Sequence, residues 1–436
     1  MSMEYDLEEK ILFPNNLYEK FIDGYYIIVA IKKPNWLVLN EEEYLLFQEL
    51  MKGISIRNAL ENYYMMYCRD ENKCLSLMTD LLSQIYRVDF NADAKSLPEE
   101  HINSIVKKVH IGTTNGCNMH CKHCYMEAGT VPIRTIDLKK TIQLVDGLNK
   151  LYGKLEVVVS GGEPLTYRYI GDLLKAIKNN YIIMFTNGSM ISEGNIEVIA
   201  ECCDEVQISF EGVSKEYYSL VRGKQNYDRA LHAIDLLKNY NKKIVLAVTI
   251  LPDTLEDIRD NLLDFVKKIN YSNIEVRIND EIEMSGNALS MDMSSYNENV
   301  SKETMIQLIK ELQDLGCIIQ SSDIRNVRFT NCGIGTTVLI NYDGKIYPCH
   351  KLSGYALEIG TDIQEVVNEF NKINEVTSND NIEKCHFCEL RYICSGGCRI
   401  DNFLINKDMR KVICDEKFKE KQYKKLLNEY KMYYEN

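Results

Sequence analysis

The sequence predicts an α/β protein: a partial (β/α)6 TIM-like barrel, preceded by a winged-helix-like α+β domain and followed by a cysteine-rich domain. Three observations carry this. Between Val106 and Ile278, strand-like apolar runs alternate six times with amphipathic segments, the pattern of parallel strands joined by helical crossovers. Ahead of them, from about Ile11 to Phe90, short strands are followed by helices. The cysteines are also unevenly placed: of 15 in the chain, three lie between Cys117 and Cys124 and seven between Cys332 and Cys414.

In the first segment, Tyr25 to Ile31 and Asn35 to Leu39 are rich in β-branched and aromatic residues, with Lys32-Lys33-Pro34 as the turn between them. Asn40 then caps a helix that begins Glu41-Glu42-Glu43, an acidic first turn suited to the helix dipole. Two more helices are expected near Ser55 to Met66 and Leu75 to Tyr86. Winged helices often bind DNA, but 64 acidic residues against 51 basic ones give a net charge of −13, the wrong sign for phosphate contact. An exposed strand edge can instead capture an extended peptide as an added strand. A packing or dimerisation domain is the remaining reading. Asn91 to Glu100, with Pro98 and mixed charge, is the expected linker, so domain boundaries fall at 1–95, 96–316 and 317–436.

The six barrel strands are expected at Val106 to Thr113, Lys154 to Ser160, Tyr181 to Thr186, Glu205 to Phe210, Lys243 to Ile250 and Asn273 to Ile278. Helical segments between them include Leu138 to Leu151, Ile170 to Lys178, Tyr227 to Asn239 and Leu255 to Ile269. In such a sheet the reactive site lies at the carboxyl ends of the strands. The distinctive residues fall there: Cys117 to Cys124 after the first strand, Gly161-Gly162-Glu163-Pro164 after the second, Thr186-Asn187-Gly188 after the third, and Ser209 closing the fourth. Any one of these alone reads as a turn. Together they describe a ligand lying along the rim, approached by backbone where glycines remove side chains.

Cys117, Cys121 and Cys124 have three and then two residues between them. Three thiolates round one metal centre leave a coordination position for something that reacts, whereas a structural zinc or ferredoxin-like site usually takes four protein ligands. This spacing, followed by Gly161-Gly162-Glu163-Pro164, resembles the radical S-adenosylmethionine (SAM) enzymes over about Lys107 to Gly316. The resemblance implies that the three thiolates hold a 4Fe-4S cluster and that the amino and carboxylate groups of SAM occupy its open iron. It places His123 against the adenine and Gly161, Gly162 and Glu163 at the methionine amino group. Asn187 joins the SAM contacts, while Ser209 and Arg222 match positions that meet the ribose and carboxylate. An Arg fork suits a carboxylate and a Glu suits an ammonium.

The later cysteines read Cys332-x11-Gly344-x4-Cys349, then Cys385-x2-Cys388-x5-Cys394-x3-Cys398, then Cys414. A zinc ribbon needs four thiolates, so seven suggest two sites. The pattern resembles the SPASM domain, the auxiliary-cluster extension of many radical SAM enzymes that modify peptides. That resemblance assigns Cys385, Cys388, Cys394 and Cys414 to a distal cluster and Cys332, Cys349 and Cys398 to a nearer one, giving three 4Fe-4S clusters in all. The nearer set lacks a fourth thiolate between Gly333 and Leu339. A substrate cysteine binding there is one explanation; a ligand from elsewhere, such as Cys317 or water, is the other. Cys68, Cys74, Cys202 and Cys203 read as buried small hydrophobes. Sulfatase-maturing relatives carry an Asp as base where this chain has His350, which can also accept a proton.

With the family in hand, the amino-terminal module resembles the leader-recognition element of ribosomally made peptide pathways, and the whole resembles a sactipeptide or ranthipeptide synthase. The resemblance implies a maturase that grips a precursor peptide by its leader and uses a 5'-deoxyadenosyl radical to form thioether cross-links. Carbon-carbon cross-linking, epimerisation, excision and formylglycine formation suit the same layout. An iron-sulfur redox sensor with a DNA-binding winged helix is the reading from another class, and Gly161 to Pro164 argues against it. Expected partners are the precursor peptide and a reductant such as flavodoxin or ferredoxin, with neither nucleic acid nor membrane. No apolar run approaches bilayer length and the acidic start from Met1 to Glu9 is unlike a signal peptide, so a cytoplasmic location is expected.

Overall fold

The computed structural model of the 436-residue chain describes residues 5–91, 106–126, 128, 132–280, 282–317, 329–351 and 356–433. The expected linker, beyond Asn91, lies outside the described residues. The chain forms two compact units: one from Met1–Asn103, Ser321–Gly333 and Asn374–Asn436, the other from Ser104–Gln320 and Ile334–Ile373.

The first unit opens with an antiparallel sheet of β1 (Leu17–Ile22), β2 (Tyr25–Ala30) and β3 (Asn35–Leu39). The expected pair of strands is present, and β1 is added to it. Asp23 and Gly24 make the β1–β2 turn with φ of 49° and 86°, the two left-handed positions of a type I′ hairpin. Helix α1 (Glu41–Leu50) starts at a capping box in which Asn40 and Glu43 bond each other's backbone. Helix α2 (Ile56–Tyr63) runs into one π-helical turn at Tyr64–Cys68, and α3 (Glu71–Arg87) follows. The helices cover one face of the sheet through Ile28, Leu37, Leu39, Phe47, Leu81 and Ile85.

In the second unit, β4 (Lys108–Gly112), α4 (Leu138–Tyr152), β5 (Glu156–Ser160), α5 (Ile170–Ile177), β6 (Tyr181–Thr186), α6 (Ile196–Cys202), β7 (Glu205–Ser209), α7 (Lys215–Arg222), α8 (Asn226–Asn239), β8 (Lys243–Thr249), α9 (Leu255–Ile269) and β9 (Ile274–Asn279) alternate as expected. The six strands lie side by side in sequence order and all parallel. Cores such as Val157-Val158-Val159 and Ile244-Val245-Leu246 are buried on both faces of the sheet, and Val158 lines the cavity described below. Helix α10 (Glu298–Asp314) follows β9.

The sheet then gains three strands that the sequence reading placed in a separate carboxyl-terminal domain. β10 (Thr337–Asn341) pairs parallel with β4, and β11 (Lys345–Tyr347) and β12 (Leu357–Glu358) extend it antiparallel. Residues 334–373 therefore belong to the barrel unit, and the expected 317–436 domain is divided. The backbone ladder to β4 decides this, since buried N–H and C=O groups require partners.

After α11 (Ile363–Val376), the chain returns to the first unit with α12 (Glu383–His386), α13 (Arg399–Asn406) and α14 (Glu416–Tyr433). Helix α14 and Leu390 cover the second face of the β1–β3 sheet, where Ile22, Ile27, Val29, Trp36 and Val38 pack on Tyr423, Leu426, Leu427 and Tyr430. The two faces follow from the two-residue period of the strands. Of the cysteines read as core residues, Cys74, Cys202 and Cys203 are buried and Cys68 is half-buried. No helix among the described residues is long and apolar enough to cross a membrane.

Candidate active site

At the carboxyl ends of the barrel strands lies a cavity of about 760 Å³. Cys117, Cys121 and Cys124 line it together, from the loop that follows β4. Side-chain amides pin this loop. Asn118 donates to Ser189 Oγ (2.8 Å), Asn187 donates to Asn118 Oδ1 (3.0 Å), and Asn287 donates to the Cys121 carbonyl (3.2 Å). Burial pushes the Cys117 thiol up to about 11 and raises Cys121 as well, so a thiolate at either position requires a cation. Among the described residues no three acidic, His or Cys side chains converge as they would on a single ion. Cluster ligands each take a different iron and need not converge on one point.

Gly161 and Gly162 form the next part of the rim. Gly162 N donates to Thr114 O (2.7 Å) and Glu163 N to Gly116 O (2.9 Å), which stitches the loops after β4 and β5 together. A Cβ on Gly161 would fall 2.6 Å from Thr114 O, and one on Gly162 would fall 2.4 Å from Gly116 O. Only glycine fits, and the cavity is left with a backbone wall.

Glu163 departs from expectation. Its fully buried carboxylate accepts from Thr186 Oγ1 (2.7 Å), Asn187 N (2.8 Å) and Leu165 N (3.2 Å). Burial raises its pKa against the pull of these bonds. The side chain therefore anchors the turn after β6.

Ser209, at the end of β7, lines the cavity, as do Asn187, His123 and Arg222. Arg222, expected to await a ligand carboxylate, already holds a protein one. It grips Glu211 through Nε and through Nη2 to Oε1 at 2.6 Å. His123 Nε2 lies 3.4 Å from the same Glu211 oxygen. Burial pushes the Glu211 carboxyl up, but the Arg222 guanidinium and His123 outweigh that and hold it at about 2. Nδ1 of His123 is buried with no partner among the described residues, a polar atom suited to meet a heterocyclic base. The donor set thus fits SAM and a cluster.

His350, expected as a catalytic residue, reaches the same cavity, with Nδ1 4.0 Å from Cys349 Sγ. The wall also holds His110, which the sequence reading passed over. His110 shares a 2.5 Å hydrogen bond with Ser160 Oγ; burial, with help from His350 and Lys108, pulls its pKa down to about 4. A charged-type residue in the middle of the apolar run Val109-His110-Ile111 was the available signal.

In the other unit, the four thiols expected to hold the distal cluster, Cys385, Cys388, Cys394 and Cys414, line one small cavity. The trio assigned to the nearer cluster is divided, with Cys332 and Cys398 in this unit and Cys349 in the barrel unit. Cys317 lies beside β9, where its carbonyl accepts from Val276 N, at the other end of the strand order from β11.

Residues 111–265 match the Radical SAM superfamily. The antilisterial bacteriocin subtilosin biosynthesis protein AlbA of Bacillus subtilis is 22% identical over 315 residues, 69% of this chain and 69% of its own. A probable GTP 3',8-cyclase of Methanococcus aeolicus is 20% identical over 57% of this chain and 86% of its own. Among solved structures, Streptococcus suis SuiB bound to S-adenosylmethionine is similar at a TM-score of 0.58 and 16% identity, over 93% of this chain and 99% of that one. SuiB bound to its precursor peptide SuiA gives 0.54 over the same shares, again at 16% identity. The parallel strand order and the cysteine loop at its carboxyl end fall within the matched segment, so residues 111–265 form a radical SAM domain, a fold that implies SAM and a 4Fe-4S cluster.

Proposed function

We propose that this enzyme modifies a ribosomally made precursor peptide, forming thioether cross-links from cysteine thiols to acceptor residues. The observation that carries the reading is the gathering of Cys385, Cys388, Cys394 and Cys414 round one cavity, in the same unit as a sheet whose β1 strand is exposed along its edge. The barrel alone does not choose a substrate, since a probable GTP 3',8-cyclase is similar to it in sequence. AlbA, named for bacteriocin biosynthesis, and SuiB, crystallised with a precursor peptide, favour a peptide here.

Cys117, Cys121 and Cys124 would hold the barrel cluster, and the Gly161–Gly162 backbone, Asn187, Ser209, His123 and Arg222 would seat SAM. When bound, these groups supply a carbon radical that removes a hydrogen atom, and two auxiliary clusters supply an acceptor for the remaining electron. The chain's own residues orient the peptide and shield the cavity from water. His350, on the cavity wall, takes the proton that the substrate thiol gives up. A reductant of the flavodoxin or ferredoxin class completes the system. Each thioether removes two hydrogen atoms from the peptide, so a co-expressed precursor should lose about 2 Da per bond by mass spectrometry, the mass carried by that hydrogen pair. Replacing the precursor cysteines by alanine should abolish the change. Continued modification of the acceptor would replace the thioether with a carbon-carbon or epimerised product.

A further inference from the structure

Arg399 opens α13 immediately after Cys398 and is completely buried. Its guanidinium donates to Gly396 O (2.7 Å), Asn379 Oδ1 (2.7 Å) and Thr377 O (2.9 Å), three uncharged acceptors. Among the described residues, no Asp or Glu pairs with it. Gly396 and Asn379, which hold the guanidinium, line the cavity of Cys385, Cys388, Cys394 and Cys414. The ionisable groups that act on it are thiols, Cys385 and Cys394 of that cavity together with Cys332 and Cys398. The backbone is shaped to admit it: Gly396 has φ of 67°, and a Cβ there would fall 2.6 Å from both Arg399 Nη1 and Asn379 Oδ1.

A buried cation without a counter-charge is strongly unfavourable, and an Arg does not escape the cost by losing its proton. Neutral thiols supply no counter-charge. A thiolate-ligated iron-sulfur cluster does, and its negative charge grows by one on reduction. Its potential therefore responds to fixed charge nearby. The three cations that line the four-thiol cavity are weaker candidates: Lys384 is exposed, Lys419 is already paired with Glu389 at 3.1 Å, and Arg391 is paired with Asp380.

We propose that Arg399 is the built-in counter-cation of the site formed by Cys385, Cys388, Cys394 and Cys414, a positioning residue that favours one-electron reduction of the cluster held there. This rests on the auxiliary-cluster reading above. The step is the transfer of one electron to the oxidised cluster, with no bond made or broken. The electron comes from the substrate radical in turnover or from dithionite in the test. The three neutral hydrogen bonds hold the guanidinium in place, and its charge acts on the cluster through a low-dielectric interior.

The test uses the full chain carrying Cys117→Ala, Cys121→Ala and Cys124→Ala, so that all bound iron reports on the auxiliary sites. Iron content, melting temperature and an EPR-monitored redox titration are measured with and without Arg399→Gln and Arg399→Lys. Gln should shift the reduction equilibrium toward the oxidised state by about tenfold or more, a midpoint lower by about 59 mV for a one-electron couple. Lys, which keeps the charge but not the fork, should stay within about threefold of the parent. A Gln variant with full iron and an unchanged midpoint overturns the proposal and leaves a structural knot. If the Gln variant does not fold, the Lys variant decides alone, and a tenfold drop with Lys overturns the role of charge. A parent chain without iron overturns the auxiliary-cluster reading itself, and with it the proposal.

Discussion

Glu211 and Arg222 illustrate how this site holds charge out of water. Each is over nine-tenths buried, and their two-point contact satisfies both. Removing one partner strands the other, so Arg222→Met should destabilise the protein by about 3–5 kcal/mol and weaken SAM binding at least about tenfold. Anaerobic denaturant unfolding and equilibrium dialysis measure the two effects. The Glu211 carboxyl sits at about 2 against an ordinary value of 4.5, so its stabilising contribution is complete above about 4.5 and is lost as pH falls toward 2. In the variant the stranded Glu211 carboxyl is instead pushed up by burial, so the deficit should be largest at high pH and shrink as pH falls and the carboxyl takes up its proton. A deficit that grew as pH fell would implicate another group. At this scale the cysteines were legible, because a cluster fixes ligand type and leaves its spacing in the chain. Asn118, Asn287, Glu211 and His110 were not, because a hydrogen-bond partner is chosen in space. Glu163 shows the converse: the motif marked it, but only the fold revealed that its carboxylate turns inward to Thr186 and Asn187.

Among the elements, the six barrel strands were readable because burial on both faces leaves uninterrupted β-branched runs. β1 was missed although Asp23-Gly24, between two strand-length runs, is a strong hairpin signal. Its charged centre, Glu19-Lys20, obscured the strand. That strand now matters most for recognition. All five residues of β3 are buried, whereas Tyr18, Glu19 and Phe21 of β1 are exposed. Ile31 N donates to Asn16 O at 3.0 Å, and with the Leu17–Ala30 register this makes Tyr18, Lys20 and Ile22 the residues bonded to β2. Phe21 N–H therefore points outward, available to an added strand. Phe21→Pro should remove that donor while keeping the β1–β2 ladder, and weaken precursor binding by about tenfold. Phe21→Ala, which keeps the N–H, should bind nearly as the parent does. Calorimetric titration with the precursor distinguishes them, and two variants that bind like the parent would move the leader away from this edge.

In the molecule as a whole, the amino-terminal module and the last helix share a core, so residues 1–95 are not a unit by themselves. The signal lay in Tyr25–Ala30 and Asn35–Leu39, which are apolar on both faces and so require two covers. The sequence pattern identified α1 to α3 as one cover, but nothing local to β2 or β3 names the other, α14, almost 400 residues away. The linkage reaches the auxiliary site. Tyr423 of α14 donates to Glu389 Oε1 (2.7 Å), which Lys419 also grips, and the Cys388 thiol lies 3.6 Å from Glu389 Oε2. Deleting residues 1–95 would therefore do more than remove a leader grip. It would expose Leu390, Tyr423, Leu426, Leu427 and Tyr430, at about 1.5–3 kcal/mol for each large side chain returned to water, and loosen the loop that carries Cys388. The truncated enzyme should aggregate readily and lose about four of an expected twelve irons, the share of one cluster, while the barrel cysteines keep theirs. Iron analysis and light scattering on the purified chain test this. Full iron and a monodisperse truncated chain would mean that α14 holds the Cys388 loop without the sheet.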